Sequence, residues 1–278
     1  MIHKLDITAA LKNGRTILKD CFFNQPFRVV NISEDKTDPV LYLVVMSSSP
    51  GLLSEDEYSV NIDVEAGAAL MLQSQAYQRI FKMKGSARVQ QHIDIGKGGT
   101  LFYIPHPVVP HAGSTLVSET TITLAESSRL LFSDIITCGR KHSGEVFQFA
   151  SLRSRLTVKR SFSVIYRDNI VLEPAPDVYG GIGQFENFTH QAGFLMADYN
   201  RKIDEQILEN VHDILKTDAS VSFGITRAND HMLAGRILAN GGEQLYTLLK
   251  KVETFAGNHW KAKPQENEIT EPKETFSL

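Results

Sequence analysis

The sequence predicts a mainly β protein in which short strands stack in successive coils, with helix confined to the C-terminal third. Three observations carry this reading. Apolar and polar residues alternate through the first two-thirds, a strand–turn–strand unit recurs about every 30 residues, and the spacing becomes helical near residue 204.

The first clear strand spans residues 40–46, a continuous apolar run closed by Ser47, Ser48, Ser49, Pro50 and Gly51, which suits a strand buried on both faces. Strict alternation follows, with Tyr58, Val60, Ile62 and Val64 on one side and Ser59, Asn61, Asp63 and Glu65 on the other. A period of two places one face on a core and the other in water. The repeat then emerges. Ile62-x-Val64-x-x-Gly67-x-x-Leu70 returns as Ile93-x-Ile95-x-x-Gly98-x-x-Leu101 and again as Ile122-x-Leu124-x-x-Ser127-x-x-Leu130. A fainter fourth copy is Leu156-x-Val158-x-x-Ser161-x-x-Val164. Each unit reads as a strand, a tight turn needing a small residue, and a second strand. One unit alone cannot bury its apolar face, so stacking is the physical solution. A sandwich of ordinary hairpins is the alternative.

Residues 204–216 place Ile207, Leu208, Val211, Ile214 and Leu215 on one helical stripe, with acids at the start and Lys216 at the end. Residues 221–227 read as a strand that residues 232–238 can pair with. After Gly241 and Gly242 comes a second helix with the stripe Leu245, Leu248, Leu249 and Val252. From Asn258 the chain is charged and aperiodic. The expected organisation is one β-rich domain over 1–257, including the helices, and a charged, flexible tail over 258–278.

Composition narrows the function classes. The 278 residues carry a formal charge of −3, which argues against a nucleic-acid binder. The densest basic group, Arg153, Arg155, Lys159 and Arg160, alternates as a solvated strand face would. Two cysteines, Cys21 and Cys138, are too few for a disulfide scaffold and fit a reducing compartment. No signal-peptide core and no bilayer-length apolar run is present, so the expectation is a soluble cytoplasmic protein.

Familiar catalytic motifs are missing. Gly96-Lys97-Gly98-Gly99 lacks the spacing of a phosphate-binding loop, and neither a Gly-x-Ser-x-Gly elbow nor a Cys-x-x-Cys pair occurs. The proline-dense segment 104–113 carries His106 and His111, imidazoles that suit a transition metal or a partner-docking loop. Asp134 follows an apolar strand start, and a buried acid needs a partner, for which Arg140 is the obvious candidate in sequence. Asp134 and Glu145 could line a polar path for a divalent cation, extended by Asp168 and Glu173.

An ordered set of segments runs through Pro26-Phe27-Arg28-Val29, Ser49-Pro50-Gly51, Ser54-Glu55-Asp56 and Leu72-Gln73-Ser74-Gln75-Ala76. It continues through residues 104–110, Ser133-Asp134-Ile135, Gly139-Arg140, Gly144-Glu145-Val146-Phe147 and Phe223-Gly224-Ile225-Thr226-Arg227. In order and spacing this set, from about residue 20 to 256, resembles the urease accessory protein family UreD, also called UreH. The resemblance implies a β-helix-like stack of short strands with two C-terminal α-helices packed on it. It implies a non-enzymatic scaffold that binds UreF and, through it, the GTPase UreG, on urease apoprotein. Nickel, in transit and not as a tightly bound cofactor, would pass through an internal tunnel. Asp56, Asp134 and Glu145 match motif positions, with Asp168 and Glu173 beside them as candidate nickel-path or scaffold residues. His106, His111 and Arg140 are candidates for partner-binding loops. No firm metal ligand is assigned. Two departures stand out: family members usually show Gly-Gly-Asp at Ser54-Glu55-Asp56, and an aromatic where His111 stands. The competing expectations are a metal-dependent jelly-roll or cupin-like enzyme using His106 and His111, and a carbohydrate- or protein-binding β-helix module.

Overall fold

A computed structural model describes residues 2–35, 37–174, 179–181 and 183–261. The chain opens with two antiparallel pairs, β1 (Ile2–Lys12) with β2 (Arg15–Phe23) and β3 (Phe27–Asn31) with β4 (Leu41–Ser47). Coils follow: β5 (Glu57–Val64), β6 (Ala69–Gln75) and β7 (Gln78–Ile80); β8 (Ala87–Ile95), β9 (Thr100–Ile104) and β10 (Val108–Pro110); β11 (Thr115–Leu124) and β12 (Arg129–Thr137). The last strands are β13 (Ser151–Arg160), β14 (Ser163–Leu172), β15 (His190–Asp198), β16 (Ser222–Asn229) and β17 (Met232–Ala239), with α1 (Glu205–Lys216) and α2 (Gly242–Lys261) among them.

Two sheets face each other. The first runs β14-β13-β11-β8-β5-β1-β2; the second runs β16-β17-β15-β12-β9-β6-β4-β3, with β7 and β10 beside it. The repeat read from sequence is the strand register itself. Ile62, Ile93 and Ile122 are direct partners across parallel β5, β8 and β11, and Leu70, Leu101 and Leu130 across β6, β9 and β12. The turn residues Gly67, Gly98 and Ser127 have φ of +72°, +67° and +55°, the left-handed region that a small residue enters at least cost. A β-helix-like stack is therefore the architecture, and apolar residues from both sheets fuse into one core.

The fourth copy departs from the pattern. Val158, not Leu156, pairs with Ile122, and after Ser161 the chain doubles back as β14 antiparallel in the same sheet. The physical reason is length. Four residues (65–68, 96–99, 125–128) carry the chain between sheets in the true coils, but only Ser161 and Phe162 separate β13 from β14, and facing sheets lie about 10 Å apart. Val164 and Phe162 are left exposed. β4 is a second correction: Leu41 and Leu43 are buried, while Tyr42 and Val44 on the other face are only half-buried.

α1 and α2 cover the outer face of the second sheet and form a second apolar layer with it. Asp204 caps α1 by accepting the Ile207 N–H at 2.9 Å, as the acidic start suggests. α2 continues to Lys261, so the boundary expected after residue 257 falls inside a helix. Trp260 is buried, its ring 4.9 Å from that of Phe102. The tail from residue 262 lies outside the described residues. Among the described residues no helix is long and apolar enough to cross a membrane.

Candidate functional site

Inward positions of a two-sheet stack should be apolar, and most are. The exceptions cluster. One row across the first sheet reads Val60, Gln91, Thr120, Leu156 and Asp168; the neighbouring row reads Tyr58, Val89, Ser118, Ser154 and Ile170. From the second sheet Ser74, Tyr103 and Asp134 face them across a cavity of about 1040 Å³. Gln91, Ser118 and Ser154 are half-exposed although they point inward, because their free surface is the cavity wall. The buried Gln91 Oε1 has no protein partner, so it is available to water or an ion.

Segments 74–81, 105–111, 139–143 and 240–243 line the same cavity beyond this polar belt. His106 donates its backbone N–H to Ser74 Oγ at 2.7 Å, and its ring stacks on Tyr246 of α2 at 4.3 Å between centroids. The Tyr77 hydroxyl donates to Glu243 at 3.2 Å. Lys141 is held by neutral oxygens, donating to Thr189 Oγ1 and the Asn240 carbonyl, both at 3.1 Å. Burial, reinforced by the Lys141 charge, pushes His190 down to about 4, so its ring is neutral. Burial likewise lowers His106 and His111. The two rings line the same cavity with different aromatic partners, His111 packing edge-on against Phe81 at 4.9 Å. Among the described residues no group of three or more His, Cys, Asp or Glu side chains is placed to hold a metal ion.

The opposite end of the polar belt holds Asp134, and here the sequence reading needs correction. Asp134 does not pair with Arg140. Its Oδ1 accepts the Gly193 N–H at 3.2 Å from the adjacent β15. Asp168 lies across from it and binds Arg236 at 2.6 Å. Burial first, and Asp168 second, push the Asp134 carboxyl up to about 6, against the opposing pull of Arg236 and the Gly193 N–H.

The other candidate acids lie elsewhere. Arg140 pairs with Glu145, its Nε donating at 2.9 Å; Glu145 also accepts the Ala112 N–H at 3.1 Å, and Arg140 above all holds it well below the usual carboxylate range. Glu173 forms an exposed pair with Arg153 at 2.7 Å on the outer face. Asp56 accepts the Leu53 N–H at 2.8 Å in the turn before β5 and sits 3.6 Å from His3. Next to it Glu55 adopts φ +64°, the conformation a glycine would take freely there. Sequence reasoning brought Asp134 and Asp168 into one set, but missed Gln91, Ser118, Thr120, Ser154 and Arg236. For the four in the first sheet the signal was present, each being a polar residue at the apolar phase of its strand; Arg236 left none, because β17 is apolar on both faces around it.

The sequence model of the family described as UreD urease accessory protein matches residues 3–271. The chain belongs to the UreD family. A UreD urease accessory protein of Flavobacterium johnsoniae is 40% identical over 253 residues, covering 91% of each chain. One from Acetivibrio thermocellus is 31% identical over 91% of this chain and 96% of its own. A UreH urease accessory protein of Helicobacter pylori strain P12 is 28% identical over 87% and 90%. UreD membership supports a role in urease maturation.

Proposed function

We propose that this UreD-family chain is a non-catalytic cytoplasmic scaffold that hands nickel to urease apoprotein through its internal cavity. In this reading it binds UreF and, through UreF, the GTPase UreG. Nickel is cargo and not a resident cofactor. The observation that carries the proposal is the polar belt of Gln91, Ser118, Thr120 and Ser154 running to Asp134 inside an otherwise apolar stack. A cation in transit needs oxygen ligands that release it, and hydroxyls, amides and a single carboxylate meet that need better than a Cys/His cage. The expected tunnel acids contract to Asp134 and Asp168. His106, His111 and Arg140 keep the role of candidate partner-binding loop groups, while Asp56, Glu145 and Glu173, first grouped with the path, are left as scaffold residues engaged at turns or in ion pairs.

The first test is co-expression with UreF from the same source, one of them tagged. Co-purification as a stoichiometric complex supports the scaffold; a chain that ignores UreF and retains a stoichiometric metal counts against it and favours the metalloenzyme reading. Passage is tested separately by Ser154→Leu, which narrows the cavity where it meets Asp134 without touching the outer surface. The expected result is an intact complex with at least about tenfold slower nickel-dependent urease activation, because a leucine side chain crowds the approach to the Asp134 carboxylate.

A further inference from the structure

Beyond Asp134, an ion pair crosses between the sheets. Asp168 on β14 belongs to the first sheet and Arg236 on β17 to the second, and they meet at 2.6 Å. Gly193, on β15, is the register partner of both Asp134 and Arg236. A Cβ at Gly193 would stand 2.8 Å from Asp134 Oδ1 and 3.9 Å from Asp168 Oδ2, so both carboxylates border one point that only glycine leaves open. A second, tight cavity of about 10 Å³ lies there, sharing Phe132, Asp134, Ser154 and Leu156 with the large one and adding Asp168. That is room for one water at most. The side chains of Asp168 and Arg236 are 24% and 47% exposed, so the pair marks the outer surface.

The charges are unbalanced in a suggestive way. The charges that act most strongly on Asp134 are Asp168 and Arg236, which makes two carboxylates against one guanidinium. A divalent cation would match the two carboxylates and leave the guanidinium redundant. Arg236 can leave cheaply, because its head is already half in water, whereas Asp134 is held by the Gly193 N–H.

We infer that Arg236 is a tethered counter-cation that keeps this end of the cavity shut, and that a divalent cation arriving between Asp134 and Asp168 displaces it. The exchange sets one dication against two carboxylates, returns one guanidinium to water and releases any proton on Asp134 to bulk. The inference rests on the reading that cations travel the cavity, but its test does not.

The test is a titration of the full chain with Mn2+ at neutral pH, following the free ion by electron paramagnetic resonance. The variants are Arg236→Gln, Arg236→Met, Arg236→Lys and Arg236→Gln combined with Asp134→Asn, with melting temperature as the check on folding. The neutral variants are expected to bind one Mn2+ at least about tenfold more tightly than wild type, since the competing charge is gone. Arg236→Lys should behave as wild type, and adding Asp134→Asn should abolish the gain. Equal binding by wild type and both neutral variants, or a gain that survives Asp134→Asn, overturns the inference. If the gain appears as expected while Asp134→Asn activates urease with nickel at the wild-type rate, the counter-cation stands and nickel passage falls.

Discussion

Asp134 shows what the cavity costs the fold. Its carboxyl is raised to about 6 in the folded protein, above its ordinary value, so between the two pH values the native state binds more protons than the unfolded chain. Stability from this group is fully present at pH 4 and below, and is lost as pH rises towards 6. Asp134→Asn is therefore expected to be more stable than wild type by about 1–3 kcal/mol at pH 8, and nearly equal to it at pH 4. Urea unfolding at the two pH values measures this; a variant less stable than wild type at pH 8 contradicts it. Gly235 is a second sensitive residue. A Cβ there would fall 2.2 Å from Phe194 Cε1 in the layer beneath the helices. Gly235→Ala should cost about 1–3 kcal/mol through overpacking, with recovery when Phe194→Leu is added.

The coil turns are the informative elements. Gly98 has φ +67° and open space around its α-carbon, so Gly98→Ala isolates backbone strain from packing. The expected loss is about 1 kcal/mol, and Ser127→Gly at the equivalent turn should move stability the other way. Denaturant midpoints of the two variants on opposite sides of wild type would bear this out. These turns were legible because one small residue per coil recurs at a fixed place after the inward apolar pair. The fourth unit misled because its residue types match while its connection is too short to change sheets. At the other end, Trp260 anchors the last turn of α2 on Phe102, and Trp260→Ala is expected to cost about 3 kcal/mol or more. A variant with an unchanged unfolding midpoint would mean that the helix end carries no load.

At the scale of the molecule, the fold is a stack whose interior is not filled. Sheets built from parallel coils normally close on apolar side chains, and here Ile62, Ile93, Ile122 and Val158 do so at one level. In the next two inward rows the same strands turn first Gln91 and Thr120, then Ser118 and Ser154, inward and leave a cavity of about 1040 Å³. The combination predicts that filling variants stabilise the chain while slowing the function. Ser154→Leu is expected to gain about 1 kcal/mol from newly buried methylenes, read as a higher melting temperature alongside slower nickel-dependent activation.

By itself the sequence determined the coil repeat, both helices, the capping of α1 by Asp204 and the family, because each depends on residues close together in the chain or on motifs kept in order. It also carried the phase of the alternating strands such as β5, and so which of their residues face inward, but not that of β4, whose apolar run hides an exposed side. Tertiary structure alone decided which acids meet. Asp134 finds Asp168 and Arg236, not Arg140, because three strands remote in sequence bring them to one point beside Gly193. Glu145 and Glu173 go to local arginines, where a short link costs less entropy than a distant one. Periodicity tells a strand which way its side chains point. Only the register between strands decides what they point at.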